Sequence, residues 1–94
     1  MTDQRCVHVR ITGRVQGVSF RAWTRGEARA RNLSGWVRNR ADGTVEAVFC
    51  GPPDAVNDMI KACHDGPRWA NVTAVAVSDE TQKPGGAFTI LNER

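Results

Sequence analysis

Along the chain the apolar positions change period from two to three-and-a-half and back again. Val7, Val9 and Ile11 alternate with His8, Arg10 and Thr12, the pattern of a half-buried strand whose apolar face meets helices. The preceding Met1 to Arg5 reads as a polar, frayed start. Residues 20–31 are predicted to form a first helix, with Ser19 placed to cap it. This helix is poorly made, because Gly26 in its interior costs about 1 kcal/mol relative to Ala. Arg31 also falls where the apolar stripe would continue, so Phe20, Trp23 and Ala28 carry the packing. Asn32 can take the left-handed exit usually given to glycine.

A short second strand spans Gly35 to Asn39, and Asp42-Gly43 within the turn 40–43 is a strong hairpin signal. The third strand, Thr44 to Cys50, puts Val45, Ala47 and Phe49 on one face. Gly51-Pro52-Pro53-Asp54 then opens a second helix, with proline tolerated in its first turn. Val56, Met59, Ile60 and Cys63 recur at helical spacing and form its core stripe. Gly66-Pro67 stops that helix. Val72, Val75 and Val77 mark a fourth strand whose uneven spacing predicts a bulge. Lys83 to Gly86 reads as a loop, and Ala87 to Leu91 as a short closing strand.

Strand, helix, strand, strand, helix, strand is the ferredoxin-like split βαβ order. The expected fold is therefore an α+β sandwich, βαββαβ, with both helices on one face of a mainly antiparallel sheet and a short extra C-terminal strand. Residues 1–94 make a single domain, large enough for one core. In this topology the first and third strands are antiparallel neighbours, and the second pairs with the third. The first and second strands then run the same way and end on one edge of the sheet. Asn39 closes the second strand there, with the parity of Val37, so it points to the helix side where Arg21 begins its helix.

That edge holds the stretch with the most chemistry, Ile11-Thr12-Gly13-Arg14-Val15-Gln16-Gly17-Val18-Ser19-Phe20-Arg21. It contains two glycines and no acidic residue, and it joins a strand to a helix. Such a turn can aim several backbone N–H groups at one anion, helped by the helix dipole and by first-turn donors with no partner. Arg21 adds a planar fork suited to a phosphate or carboxylate. The spacing matches neither the Walker pattern nor the dinucleotide fingerprint.

Two segments together resemble those of a known family. The first runs through Gly13, Val15, Gln16, Gly17, Val18, Phe20 and Arg21. The second runs through Gly35, Trp36, Val37, Asn39, Gly43, Val45 and Gly51. In sequence, order and length the chain resembles the acylphosphatase family over nearly its whole extent. The resemblance implies hydrolysis of small acyl phosphates to carboxylate and inorganic phosphate, without a metal or other cofactor. It further implies that Val15, Gln16, Gly17, Val18, Ser19 and Phe20 form the substrate-binding loop, that Arg21 binds phosphate and that Asn39 places the water. Asn39 offers a carbonyl acceptor and an amide donor but cannot act as a general base near neutral pH. The substrate's own phosphate is then the candidate proton acceptor.

Composition narrows the alternatives. A net charge of +3 and a pI near 9.1 favour anionic partners without singling out nucleic acid, since the arginines are interspersed with Glu and Asp. With no signal peptide or long apolar run, a soluble cytoplasmic monomer without membrane contact is expected. Cys6, Cys50, Cys63, His8 and His64 lack paired metal-ligand spacing, so no metal site is expected. His64, near a helix end, complements the dipole there. Cys63 continues a core stripe and Ser19 stands in the loop, which leaves no thiol for catalysis.

The alternative from another class is a non-catalytic anion- or RNA-binding module, since ferredoxin-like sheets also form RNA-recognition surfaces. That function needs aromatics on the open sheet face. The residues assigned to it, His8, Arg10, Thr12, Glu46 and Val48, include none. A third reading is the acylphosphatase-like domain of large carbamoyl-transferring hydrogenase maturation factors. The chain ends at Arg94 without their zinc-finger and transferase segments, which disfavours it.

Strand parity makes one further expectation. Cys6 and Cys50 both face away from the core, and pairing them sets Val7 against Phe49, Val9 against Ala47 and Ile11 against Val45. The same register opposes Arg10 to Glu46 and Thr12 to Thr44. Directly opposed positions lie near disulfide reach. Proximity of Cys6 and Cys50 is therefore expected, while their oxidation stays open because a reducing cytoplasm keeps neighbouring cysteines as thiols.

Overall fold

A computed structural model describes residues 3–93, so the Met1 and Thr2 end of the predicted polar start, like Arg94, lies outside the described residues. The elements are β1 (Arg5–Arg14), α1 (Phe20–Ala30), β2 (Ser34–Asn39), β3 (Val45–Gly51), α2 (Pro53–Asp65), β4 (Asn71–Asp79) and β5 (Thr89–Ile90). They form one five-stranded sheet in the order β4-β1-β3-β2-β5. Only the β2–β5 pair is parallel. This is the expected ferredoxin-like α+β sandwich with its added C-terminal strand.

The apolar alternation decides which face meets the helices. Val7, Val9, Ile11, Val37, Val45, Ala47 and Phe49 are each completely buried, in one cluster with Val56, Met59 and Cys63 of α2 and with Phe20 and Ala28 of α1. Burying a side chain of this size contributes roughly 1.5–3 kcal/mol. The β1–β3 register pairs Cys6 with Cys50, Val7 with Phe49, Val9 with Ala47, Arg10 with Glu46 and Ile11 with Val45, as parity predicts. Thr44 precedes β3, so the expected Thr12–Thr44 pair is not part of the ladder. The predicted bulge lies in β4. Thr12 faces Ala74 while Gly13 faces Val72, which leaves Thr73 as the extra residue.

Several local expectations differ. Ser19 occupies the N-cap position of α1 but makes no side-chain capping bond, because its own backbone is left-handed at φ 62°. Trp23 packs against the core, edge-on to Phe20 at 5.3 Å, but stays half-buried, and Thr24 takes a fully buried place by donating its hydroxyl to the Phe20 carbonyl at 2.8 Å. Arg31 ends the helix and reaches back to Glu27. The closing strand is shorter than Ala87–Leu91, because Phe88 turns inward, fully buried, and stacks on Phe49 at 5.5 Å.

The face away from the helices carries an aromatic after all. Trp36 pairs with Val48 and packs against Val48, Cys6 and Cys50, with the Arg38 guanidinium 4.8 Å above its ring. The residues expected on that face, all from β1 and β3, do not include this β2 position. Glu46 and Val48, expected at the surface, are buried there, and Cys6 and Cys50 are joined in a disulfide with Cα atoms 4.2 Å apart.

Candidate active site

The site is built on the edge where β1 and β2 both end. Five residues, Val15 to Ser19, connect β1 to α1. Val15 and Val18 are buried and anchor the loop from below, with Phe20 buried beneath the first turn of α1. Gln16 ties it sideways: its amide donates to the Arg40 carbonyl at 2.8 Å and to the Thr44 carbonyl at 2.9 Å. These are the two ends of the β2–β3 turn, itself closed by Asp42, which accepts from the Thr44 N–H and hydroxyl. The loop and the hairpin that carries Asn39 are thereby held as one unit.

The backbone of the loop alternates in hand. Gly17 has φ +74° and Ser19 φ +62°, with residues of ordinary hand at Val18 and in the helix from Phe20. Successive residues of opposite hand turn consecutive N–H groups toward one concavity, as in an anion-binding nest. A side chain at Gly17 would meet nothing within 4 Å, so its main chain lies open. A left-handed serine costs about 1–2 kcal/mol, a strain found where the surrounding structure enforces it.

Among the described residues, the backbone N–H groups from Gln16 to Ala22 find no protein acceptor; the first bond of the helix is Trp23 N–H to the Ser19 carbonyl at 3.0 Å. The first turn of α1 contains no acidic residue to neutralise these donors. Arg21 is the second residue of that turn and is half-buried. At the end of β2, which β3 separates from β1, Asn39 pairs with Val45 and so shares the helix-side face with Val37. Its Oδ1 is buried and, among the described residues, receives no hydrogen bond. Such an acceptor costs roughly 1–3 kcal/mol unless a donor from outside the protein supplies the bond.

The arrangement thus offers a run of free N–H donors, a guanidinium and one unfilled carbonyl acceptor. It suits an anion together with a hydrogen-bond donor such as water. Two features escaped sequence reading. One is the anchoring role of Gln16, whose signal was a long amide side chain among the valines, glycine and serine of the loop. The other is Arg40, which supplies a carbonyl to Gln16 while its guanidinium turns away to Glu46. A cavity of about 310 Å³ lined by Arg29, Asn32, Leu33, Gly86, Ala87 and Phe88 lies at the other end of α1 and includes none of the predicted site residues.

Residues 7–90 match the model of the family described as Acylphosphatase. The chain belongs to the acylphosphatase family. An acylphosphatase of Alcanivorax borkumensis is 52% identical over 79 residues, covering 84% of this chain and 86% of its own. Among solved structures, an acylphosphatase from Coxiella burnetii superposes with a TM-score of 0.91 at 34% identity, covering 95% of this chain and 94% of that one. The acylphosphatase from Bacillus subtilis gives 0.88 at 36% identity, covering 95% and 99%.

Proposed function

We propose that this acylphosphatase-family chain hydrolyses the carboxyl–phosphate bond of small acyl phosphates, with Arg21 and the loop Val15 to Phe20 holding the phosphoryl group and Asn39 placing the water. The observation that carries this reading is the run of unpartnered N–H groups from Gln16 to Ala22, opening onto a helix N-terminus free of acidic residues. The phosphoryl oxygens accept from these donors, and the Arg21 fork balances the charge that grows as the bond to phosphorus lengthens. Asn39 Oδ1 accepts a hydrogen bond from water and aims its lone pair at phosphorus.

An acyl phosphate needs little more. Its leaving group is a carboxylate, a weak base that departs without a proton, so no general acid is required. Water forms the new P–O bond, the P–O bond to the acyl group breaks, and the water's proton passes to a phosphate oxygen of the substrate itself. Catalysis is then a matter of positioning and preorganised charge. The proposed partners are the acyl phosphate and the inorganic phosphate released, acting on a cytoplasmic monomer. Among the described residues no helix is long and apolar enough to cross a membrane.

The test is hydrolysis of acetyl and benzoyl phosphate by the purified chain in buffer containing EDTA. Turnover of both is expected, with Arg21→Gln slowing it by about 10²–10³ while the fold survives. Wild-type rates in a folded Arg21→Gln protein would falsify the phosphate-clamp role, and loss of wild-type activity on adding EDTA would overturn the metal-free mechanism.

A further inference from the structure

We propose that the turn Pro67–Ala70 forms the acyl side of this site, and that Trp69 recognises substrates by stacking on an aromatic acyl group. The proposal rests on the acyl phosphate reading above and assigns what that reading leaves open, the part of the protein that meets the carboxylic half of the substrate.

Topology brings the turn to the cradle. β3 runs opposite to β1 and β2, so α2, which follows β3, returns its C-terminus to the edge where β1 and β2 end. β4 then starts at that edge, with Asn71 opposite Arg14, the last residue before the cradle. The turn therefore connects directly to the strand residue paired beside the phosphate loop. Packing fixes it there. Gly66 has φ +69°, and a Cβ added to it would come 2.8 Å from Cε2 of Phe20, the cradle residue next to Arg21. Ala70 packs against the core, and its N–H closes the turn on the Pro67 carbonyl at 3.0 Å.

Arg68 and Trp69 are the two central residues of this turn. Such positions normally carry glycine, asparagine, aspartate or serine, yet Trp69 stands 70% exposed. The Arg68 guanidinium lies 5.2 Å from the centre of its ring. One face of the indole is thereby covered and steadied by a cation, while the ring keeps most of its surface in solvent. An exposed tryptophan on the turn that leads into the strand paired with the start of the cradle is a platform for a flat apolar group. The opposite bank of the cradle is the β2–β3 turn, where Ala41, Asp42 and Gly43 are exposed and Asp42 carries a charge. An aromatic acyl group therefore gains more on the Trp69 side.

The experiment compares kcat/KM for benzoyl phosphate and acetyl phosphate in the wild-type chain, Trp69→Ala and Trp69→Phe. In Trp69→Ala, benzoyl phosphate is expected to lose about three- to tenfold while acetyl phosphate changes less than twofold. Trp69→Phe is expected to restore most of the loss. Unchanged acetyl phosphate turnover also certifies that the variant is folded. Equal losses on both substrates, or no loss on either, would overturn the stacking role while leaving acyl phosphate hydrolysis intact. Failure of the wild-type chain to hydrolyse either substrate would remove the underlying reading and this proposal with it.

Discussion

In the proposed mechanism Asn39 is unfavourable for the fold and necessary for the reaction. Its Oδ1 is buried without a donor, so folding desolvates that oxygen and returns nothing. Asn39→Ala is accordingly expected to leave stability unchanged or raise it by up to about 1 kcal/mol. Turnover should fall by about 10²–10³, while the inhibition constant of inorganic phosphate moves less than about threefold, because the lost partner is water and not the anion. A thermal melt and phosphate inhibition kinetics check both halves. If phosphate affinity collapsed in step with turnover, Asn39 would be a binding residue instead. At this scale the sequence was legible where parity settles a side chain's direction. Asn39 follows Val37 by two and inherits its face. It was illegible where a segment has no period: Phe88 sits in a Gly-rich run and gave no sign that its ring would be fully buried on Phe49.

Among the elements, the outer face of β1, β2 and β3 behaves as a second small core with a charge at its centre. Glu46 is buried there and accepts from His8, Arg38 at 2.8 Å and Arg40 at 3.2 Å. Burial alone would raise its pKa, but the hydrogen bonds from His8, Arg38 and Arg40 outweigh this and bring it from 4.5 down to about 2. A carboxylate depressed by folding contributes stability above its unfolded pKa, and that contribution is lost as pH falls toward the folded value. Between about pH 5 and pH 2 the protein should therefore lose on the order of 2–3 kcal/mol through this group. Glu46→Gln should be most destabilising near pH 6 and approach the wild type near pH 2 in urea titrations. A difference that does not change with pH would rule out Glu46 as the acid-sensitive group. The sequence opposed Arg10 to Glu46 correctly as backbone positions, yet the carboxylate went to Arg38 of β2, to Arg40 just beyond it and to His8. Register fixes Cα partners, whereas long side chains choose among all neighbours within reach, here Arg38 on β2 and Arg40 just past it.

Over the whole molecule the two ends of the sheet differ in kind: one carries the free N–H donors of the proposed anion site and the other a disulfide that holds strands together. The order of elements was legible because each change of apolar period coincides with a glycine or proline boundary. The turn carrying Trp69 was not, since its meaning depends on which sheet edge it reaches. The staple lies at the far edge: Cys6 and Arg14 are near opposite ends of β1, about 27 Å apart at strand spacing. Cys6 and Cys50 are 44 residues apart in sequence, so their bond closes a loop that restricts the unfolded chain by roughly 3–4 kcal/mol. Cys63 is the remaining cysteine, and burial pushes its thiol up to about 12 against a smaller opposing pull from Arg31. Thiol titration of unreduced protein should therefore find no reactive thiol in the native state and one after unfolding. Reduction should lower the thermal midpoint by more than about 10 °C, yet leave acyl phosphate turnover at 25 °C within about twofold, because the bond lies a strand's length from the cradle. Three thiols in the unfolded, unreduced chain would show that the staple is not formed. A fall in turnover matching the fall in stability would show that the two ends are coupled, and that the cradle depends on the far edge for its shape.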